Sequence, residues 1–396
     1  MTGPPSEFNR HEPDPALTAL LADFPADLFS ERLYRSIHWA EDYVLALTVE
    51  VLRQLGLDER KQEPASAAGL CCAHDLDPSQ ASRLAWLLER ATAAGLVTAT
   101  DDGGPRTYQV TAPLVSPAIA RLAADGLSID PGNRPTLALL DAAAAAIHGL
   151  REGAVGRKTA LLGAEAVGLW LDYFNNANLL YAANNRLAAI AAVSQLSGKS
   201  RFSILEVGAG AGSGAEALLD ELDRRDLQGR LDRYLITEPG TFFRRRGERH
   251  LKQRSRQLPL SFASLDIDQP WAEQKLEDER FDLIFGVNVF HVAKNLTSSL
   301  SEARRRLSGD GVLVAGECLR PDPRTACYIE FVFQLLDSYH QAELDPPRRA
   351  RPGFLTPEEW SLALSASGFS QVTLLPDHRQ TRTIFPQLFI GALCGR

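Results

Sequence analysis

The stretch Ile204–Gly214, ILEVGAGAGSG, decides how this chain folds. With Arg201-Phe202-Ser203 before it, it reads as a buried strand and a glycine turn. The helix AEALLDELDRR opens directly behind it. A strand that turns on glycines into a helix is the first unit of a nucleotide-binding α/β sheet. Gly208, Gly210 and Gly212 lack a Cβ, so a ligand can lie against the main chain. GxGxG alone is weak, because dinucleotide folds use a similar turn. Its surroundings sharpen it. Glu206 precedes the first glycine, and the next apolar run, RYLITEP, ends in Glu238. A carboxylate at that tip can accept both hydroxyls of a ribose. A third run, LSFASLDI, places Asp266 toward an adenine amino group and Ile267 against the ring. FDLIFGVNVFH and GVLVAGECL follow as fourth and fifth strands, and QVTLLP with QLFIGALC closes the sheet as a pair. Strands alternating with helices after Ser200 predict an α/β, mostly parallel, doubly wound sheet.

Ahead of the glycine turn lies Leu171–Arg186, LDYFNNANLLYAANNR, with five asparagines. Asn is a poor helix former, because its amide competes with the backbone for hydrogen bonds. The leucines and alanines around it nevertheless predict helix, with Tyr173, Asn176 and Tyr181 on neighbouring faces. Asn184 and Asn185 are expected to face solvent. Further upstream, Ser36 to Leu55 has apolar residues at helical spacing. PASAAGLCCAHDL is a second, short helix, and DPSQASRLAWLLERATAAGLV a third, with Asp77 or Ser79 as its cap. VTATDDGGPRTYQVT is a hairpin signal. Three helices and a hairpin in this order make a winged-helix pattern. A DNA-reading third helix offers basic or amide side chains to the groove. Here Arg83 and Arg90 stand among mostly apolar residues, which points to a dimerisation or substrate-covering role. The expected organisation is a disordered tail at 1–15, a winged-helix-like domain at 16–130, a helical connector at 131–199 and a cofactor-binding domain at 200–396.

The chain has 396 residues, 45% hydrophobic and 23% charged, as in a soluble globular protein of two domains. No apolar run reaches the roughly 18 residues of a membrane span, and MTGPPSEFNRHEPDP lacks the regions of a signal peptide. A cytoplasmic protein with no membrane partner is expected. The five cysteines form no CxxC pair, so no metal is expected. Cys71-Cys72 reads as two small buried side chains. A net charge of −8 argues against non-specific nucleic-acid binding. The RRR clusters at 244–246 and 304–306 read as solvated helix faces.

From about Tyr173 to the C-terminus the chain resembles the class I S-adenosylmethionine-dependent methyltransferases. Within them it is similar to the carbon-methylating domains of polyketide synthases and their free-standing relatives. YLITEPGTFFRRRGE, SFASLDID, FDLIFGVNVFHVAKNL and RRRLSGDGVLVAGE carry the likeness. Its most specific part is NVxH followed by a strand ending in Glu. The resemblance implies a Rossmann-like, seven-stranded sheet and a catalytic dyad at the matching positions, His291 and Glu317. It implies S-adenosylmethionine as co-substrate and no metal. Cofactor contacts then fall to Tyr173 and Asn176 over the methionine end, and to Glu206, Gly208, Gly210, Gly212, Glu238, Asp266, Ile267 and Asn288. Glu-Pro at 238–239 departs from the family's usual Asp. The N-terminal pattern resembles the winged-helix dimerisation domain of small-molecule O-methyltransferases, which implies a homodimer.

In such a sheet, ligands bind beyond the carboxyl ends of the strands. A histidine there can remove a proton near neutral pH, and Glu317 can orient it. Tyr328, His340 and Trp360 fall in the segment that shapes a substrate pocket; His340 is expected on a helix surface and Trp360 in the core. The implied substrate is a small molecule, free or carrier-bound, with an acidic carbon beside a carbonyl; oxygen and nitrogen acceptors stay open. Two other functions fit parts of the pattern. In one, the cofactor's own amino group attacks its γ-carbon, forming azetidine-2-carboxylate and methylthioadenosine. In the other, the chain is a non-catalytic winged-helix DNA-binding regulator.

Overall fold

Helix-forming and strand-forming runs sort into two parts joined by one continuous core. The computed structural model describes residues 15–58, 63–111, 113–148, 161, 163, 166–276 and 278–396. Apart from Pro15, the tail expected at 1–15 lies outside the described residues. The N-terminal part comprises α1 (Pro15–Leu20), α2 (Glu31–Gln54), β1 (Ala65–Ser66), α3 (Ala67–Ala73), α4 (Ala81–Ala93), β2 (Val97–Thr100), β3 (Thr107–Val110), α5 (Ile119–Ile129) and α6 (Arg134–His148). Ser30 starts α2 by accepting the Leu33 N–H at 3.3 Å. Leu33, Ile37, Ala40, Val44, Leu47 and Val51 then form its buried stripe. It ends ahead of Gly56, whose φ is +80°. Asp77 caps a short 3₁₀ turn, Pro78–Gln80, that leads into α4, so the cap acts one element before the expected position. The three strands pair antiparallel in the order β1-β3-β2.

Arg83 and Arg90 of α4 turn inward to the C-terminal part. Arg83 donates to the Gln334 carbonyl (2.7 Å) and to Asp337 (2.7 Å). Arg90 donates to the Ala326 carbonyl (3.1 Å) and pairs with Glu41. Two expectations are corrected here. Cys71 is buried, but Cys72, one step round the helix, is exposed. Arg306 is buried, donating to the Leu276 carbonyl at 2.6 Å, because the chain has already left its helix toward the next strand.

The Asn-rich stretch is not one helix. α7 (Ala166–Tyr173) stops at the first asparagines, and α8 (Leu179–Leu196) starts after them. Asn175 Oδ1 accepts the Ala177 N–H at 2.8 Å, the local competition that breaks helices. The Asn178 amide donates to the Tyr173 carbonyl at 2.9 Å, satisfying an orphan of the α7 terminus.

The sheet follows in β4 (Phe202–Glu206), α9 (Ser213–Arg224), β5 (Leu231–Thr237), α10 (Thr241–Arg254), β6 (Leu260–Ala263), β7 (Phe281–Val287), α11 (Leu296–Arg305) and β8 (Leu307–Cys318). The chain closes with α12 (Glu330–Phe333), α13 (Pro357–Ala366), β9 (Val372–Leu375), α14 (His378–Ile384) and β10 (Ile390–Gly395). Strand order is β6-β5-β4-β7-β8-β10-β9, with β10 antiparallel to both neighbours. β4, β7 and β8 from Gly311 onward are buried along nearly their whole length, as strands covered on both faces must be. Helix α8 lies on this sheet against β7, β8 and β10 and beside α9. The order turns back on itself between β4 and β7, so the carboxyl ends of β4, β5, β7 and β8 form a crevice where ligands bind. No helix of the described residues is long and apolar enough to cross a membrane.

Gly126 shows how tightly the N-terminal part is packed. A Cβ there would lie 2.0 Å from the Trp39 ring, whose indole N–H donates to the Leu122 carbonyl at 2.7 Å. Gly126→Ala is expected to cost about 1–3 kcal/mol by overpacking, read as a lower urea midpoint with an unchanged m-value.

Candidate active site

The glycine turn is pinned from both sides. Val207 N–H donates to the Phe285 carbonyl (2.8 Å) and Ala209 N–H to the Thr237 carbonyl (2.9 Å). Gly208 has φ +65°, and a Cβ on it would stand 2.3 Å from Val289 Cγ2. Gly210 has φ +53°, and a Cβ there would meet nothing within 4 Å. One glycine lets the turn press on the next strand's loop, and the other leaves open space above the main chain. Gly212, with φ +97°, leads into α9. Glu238 accepts the Gly210 N–H at 3.0 Å and the Gly240 N–H at 2.8 Å. Burial raises its carboxyl above the usual range.

Glu206 faces the other way. It is buried, accepting the Tyr234 hydroxyl at 2.7 Å. The sheet interior claims this side chain, which supports the turn from below. Asp266 is exposed beyond β6, accepting the Asp268 N–H at 3.0 Å, and Ile267 packs on the core behind it.

At the end of β7 the chain turns sharply. Asn288 has φ +53°, a conformation Asn tolerates better than most residues. Its Oδ1 accepts the Cys318 N–H (3.0 Å) and the Asn184 amide (3.1 Å). His291 follows on a 3₁₀ turn, Phe290–Val292, and its Nδ1 lies 2.7 Å from Glu317 Oε2. Glu317 Oε1 accepts the N–H groups of Val289 (3.1 Å) and Phe290 (2.8 Å). The side chains of the pair are 3% and 0% exposed, so bulk water does not compete for this contact. An Nδ1–H donated to Glu317 leaves Nε2 with its lone pair. His291 does not cap α11; Asn295 does, accepting the Ser298 N–H at 2.9 Å.

Tyr173 is buried among Trp170, Phe174 and Tyr181, and its hydroxyl is hydrogen-bonded to that of Tyr328. Burial pushes the Tyr181 phenol up to about 12. Asn176 donates to the Ser213 carbonyl and to Glu216, both at 2.9 Å, and so holds the first turn of α9. It also lines a polar cleft of about 340 Å³ between that turn and Arg246, Arg249 and His250 of α10.

Asn184 and Asn185 are buried, contrary to expectation, at 1% and 0% exposure. Their Oδ1 atoms have no hydrogen-bond partner among the described residues. An orphaned amide oxygen beside the crevice suits an ammonium group. The signal was present in the spacing: Asn184 falls between Leu180 and Ala188, four residues from each, on the buried stripe of α8. Together the open face of Gly210, the Glu238 carboxylate and these free acceptors fit S-adenosylmethionine. His340 is half-buried on a 3₁₀ turn, bonded to the Gln334 carbonyl at 3.0 Å, rather than lying on a helix surface. Trp360 is in the core, as expected.

Comparison with known proteins agrees with this geometry. Residues 205–313, which hold the glycine turn and His291, match the family model "Methyltransferase domain". The chain thus carries a methyltransferase domain. A highly reducing polyketide synthase of Aspergillus fumigatus, sphB, is 34% identical over 175 residues, 44% of this chain and 6% of the relative. The non-reducing polyketide synthase dpmpA of Macrophomina phaseolina is 27% identical over 355 residues, 86% of this chain and 15% of the relative. The methyltransferase therefore spans a small part of these relatives' length. The CurJ carbon methyltransferase has the same fold, with a TM-score of 0.76 at 21% identity over 96% of each chain. The chain thus shares sequence with parts of polyketide synthases and its fold with a carbon methyltransferase.

Burial pushes Glu206 up to about 8, overriding the Tyr234 and Ala215 donors, which favour the ionised form. A carboxyl raised in the folded state contributes stability that is complete below the ordinary value of about 4.3 and lost as pH rises through the folded value. Glu206→Gln keeps the shape without the titration. The melting temperature of the parent, relative to this variant, is expected to fall between pH 5 and pH 8.5. A pH-independent difference would refute a protonated buried acid.

Proposed function

We propose that the chain transfers a methyl group from S-adenosylmethionine to an acidic carbon beside a carbonyl, on an acyl group borne by a carrier protein. The buried 2.7 Å contact between His291 and Glu317 at the open end of β7 and β8 carries this reading. S-adenosylmethionine supplies an electrophilic methyl carbon on a positively charged sulfur. His291 Nε2 takes the proton from the acceptor carbon, and Glu317 stabilises the imidazolium that results. Asn184 and Asn185 accept from the ammonium of the amino-acid end, and Glu238 accepts from the ribose. Tyr173 and Tyr181 wall that end with aromatic faces, which attract a cation and exclude water. Asn176 and Glu206 hold the frame of the turn rather than the ligand.

A cleft of about 690 Å³ between α2, α4 and the segment after β8 is large enough for an acyl chain. Glu41, Trp86, Arg90, Arg320 and Arg351 are among its walls. The matched polyketide synthases support an acceptor of the acyl type.

The test is turnover with a carrier-bound 3-oxoacyl thioester, read by mass spectrometry of the acyl group. His291→Ala is expected to lower the rate by about 10²–10⁴-fold and to leave cofactor affinity within a few-fold. An undiminished rate removes His291 from the chemistry. With S-adenosylmethionine alone, no turnover is expected; methylthioadenosine with a sulfur-free cyclic amino acid would establish the cyclase instead. Asn184→Leu, isosteric but without an acceptor, is expected to weaken S-adenosylmethionine binding about tenfold or more, the loss of a hydrogen bond to a charged group, measured by calorimetry.

A further inference from the structure

One buried cation behind the dyad has no carboxylate within ion-pair distance among the described residues. Arg349 is 2% exposed and forms no ion pair among the described residues. Its guanidinium donates to two main-chain carbonyls, those of His291 and, at 2.6 Å, Ala293. Its Nε is buried without a hydrogen-bond partner among the described residues. Burial draws it down to about 10. Removing an arginine from water costs several kcal/mol unless strong contacts compensate. Arg320, the other deeply buried arginine of this segment, has such a contact in Glu330, through both guanidinium arms. Arg349 forgoes a carboxylate to grip the peptide that carries His291.

The grip is opposite in sign and place to that of Glu317. Glu317 takes the N–H groups of Val289 and Phe290, on the near side of His291, and the imidazole itself. Arg349 takes the carbonyls on the far side. A single 3₁₀ turn is thus fastened at its donors by an anion and at its acceptors by a cation. The arginine reaches this place on a tight loop, where its own N–H and C=O both bond to Asp345 at 2.9 Å. Phe354 packs on the imidazole, ring centroids 4.5 Å apart, so the same segment supplies a wall to the ring.

We propose that Arg349 is a positioning residue for methyl transfer, holding the Phe290–Val292 turn so that His291 Nε2 stays aimed at the acceptor. This rests on His291 being the base. The experiment compares Arg349→Met, Arg349→Lys and, as a control on the loop, Arg348→Met, whose ion pair with Asp345 is outside the site. Misplacement of a catalytic group by about 1 Å costs about 100-fold. Arg349→Met is expected to lower kcat by about that factor while S-adenosylhomocysteine affinity stays within twofold. Arg349→Lys, which keeps a donor cation but loses the two-armed grip, should recover part of the rate and stay below the parent, and Arg348→Met should match the parent. A parental kcat in Arg349→Met overturns the proposal. So does a fall in kcat matched by an equal loss of cofactor affinity. Should Arg349→Met not fold, Arg349→Lys decides, since a rate equal to the parent's would leave the two-carbonyl grip without effect. Failure of the underlying reading shows separately, as full activity in His291→Ala.

Discussion

Three N–H donors converge on the Glu317 carboxylate, and the arrangement of the site depends on that convergence. Two come from the main chain of the turn after β7 and one from the His291 ring. A wholly buried carboxylate is tolerable only when its lone pairs are used in this way. The register makes it possible: Val287 of β7 lies opposite Gly316 of β8, so the two chains leave the sheet side by side. Asn288 then bends back with positive φ and bonds to Cys318 N–H, sealing the corner. Val289, held by Glu317, in turn packs on Gly208, so the dyad and the glycine turn share one contact surface.

The N-terminal part completes this site rather than standing beside it. Glu41 of α2 accepts the Tyr328 N–H at 2.9 Å and pairs with Arg90 of α4, which also reaches Ala326. Tyr328 is hydrogen-bonded to the hydroxyl of Tyr173, whose ring packs against Tyr181. A movement of α2 or α4 would therefore be felt at the Tyr173–Tyr181 cluster. The two arginines of α4, the only basic residues in that helix, serve this contact.

Much of the fold was legible because its determinants are local. Apolar runs of strand length, glycines after the first of them and helical spacing between them all act within a few residues. The dyad was legible for a related reason, since each member ends a recognisable strand. The turn inside the Asn-rich stretch was half legible: the poor helix propensity of Asn was visible, but the leucines and alanines around it outweighed it in the pattern. The inward face of Glu206, the burial of Asn185 and the grip of Arg349 on a turn 58 residues away were not. Each depends on what another part of the chain places beside it.

Sequence alone determined the order of strands and helices, the place of the glycine turn and the two strand ends that carry His291 and Glu317. These follow from the period of apolar residues and from backbone freedom at particular glycines. Tertiary structure alone decided which polar groups are satisfied and which are left open. Glu206 finds Tyr234 and withdraws from the crevice, while Asn184 and Asn185 keep free acceptors inside it. Hydrogen-bond partners far apart in the chain are chosen by packing, and no spacing along the sequence encodes them.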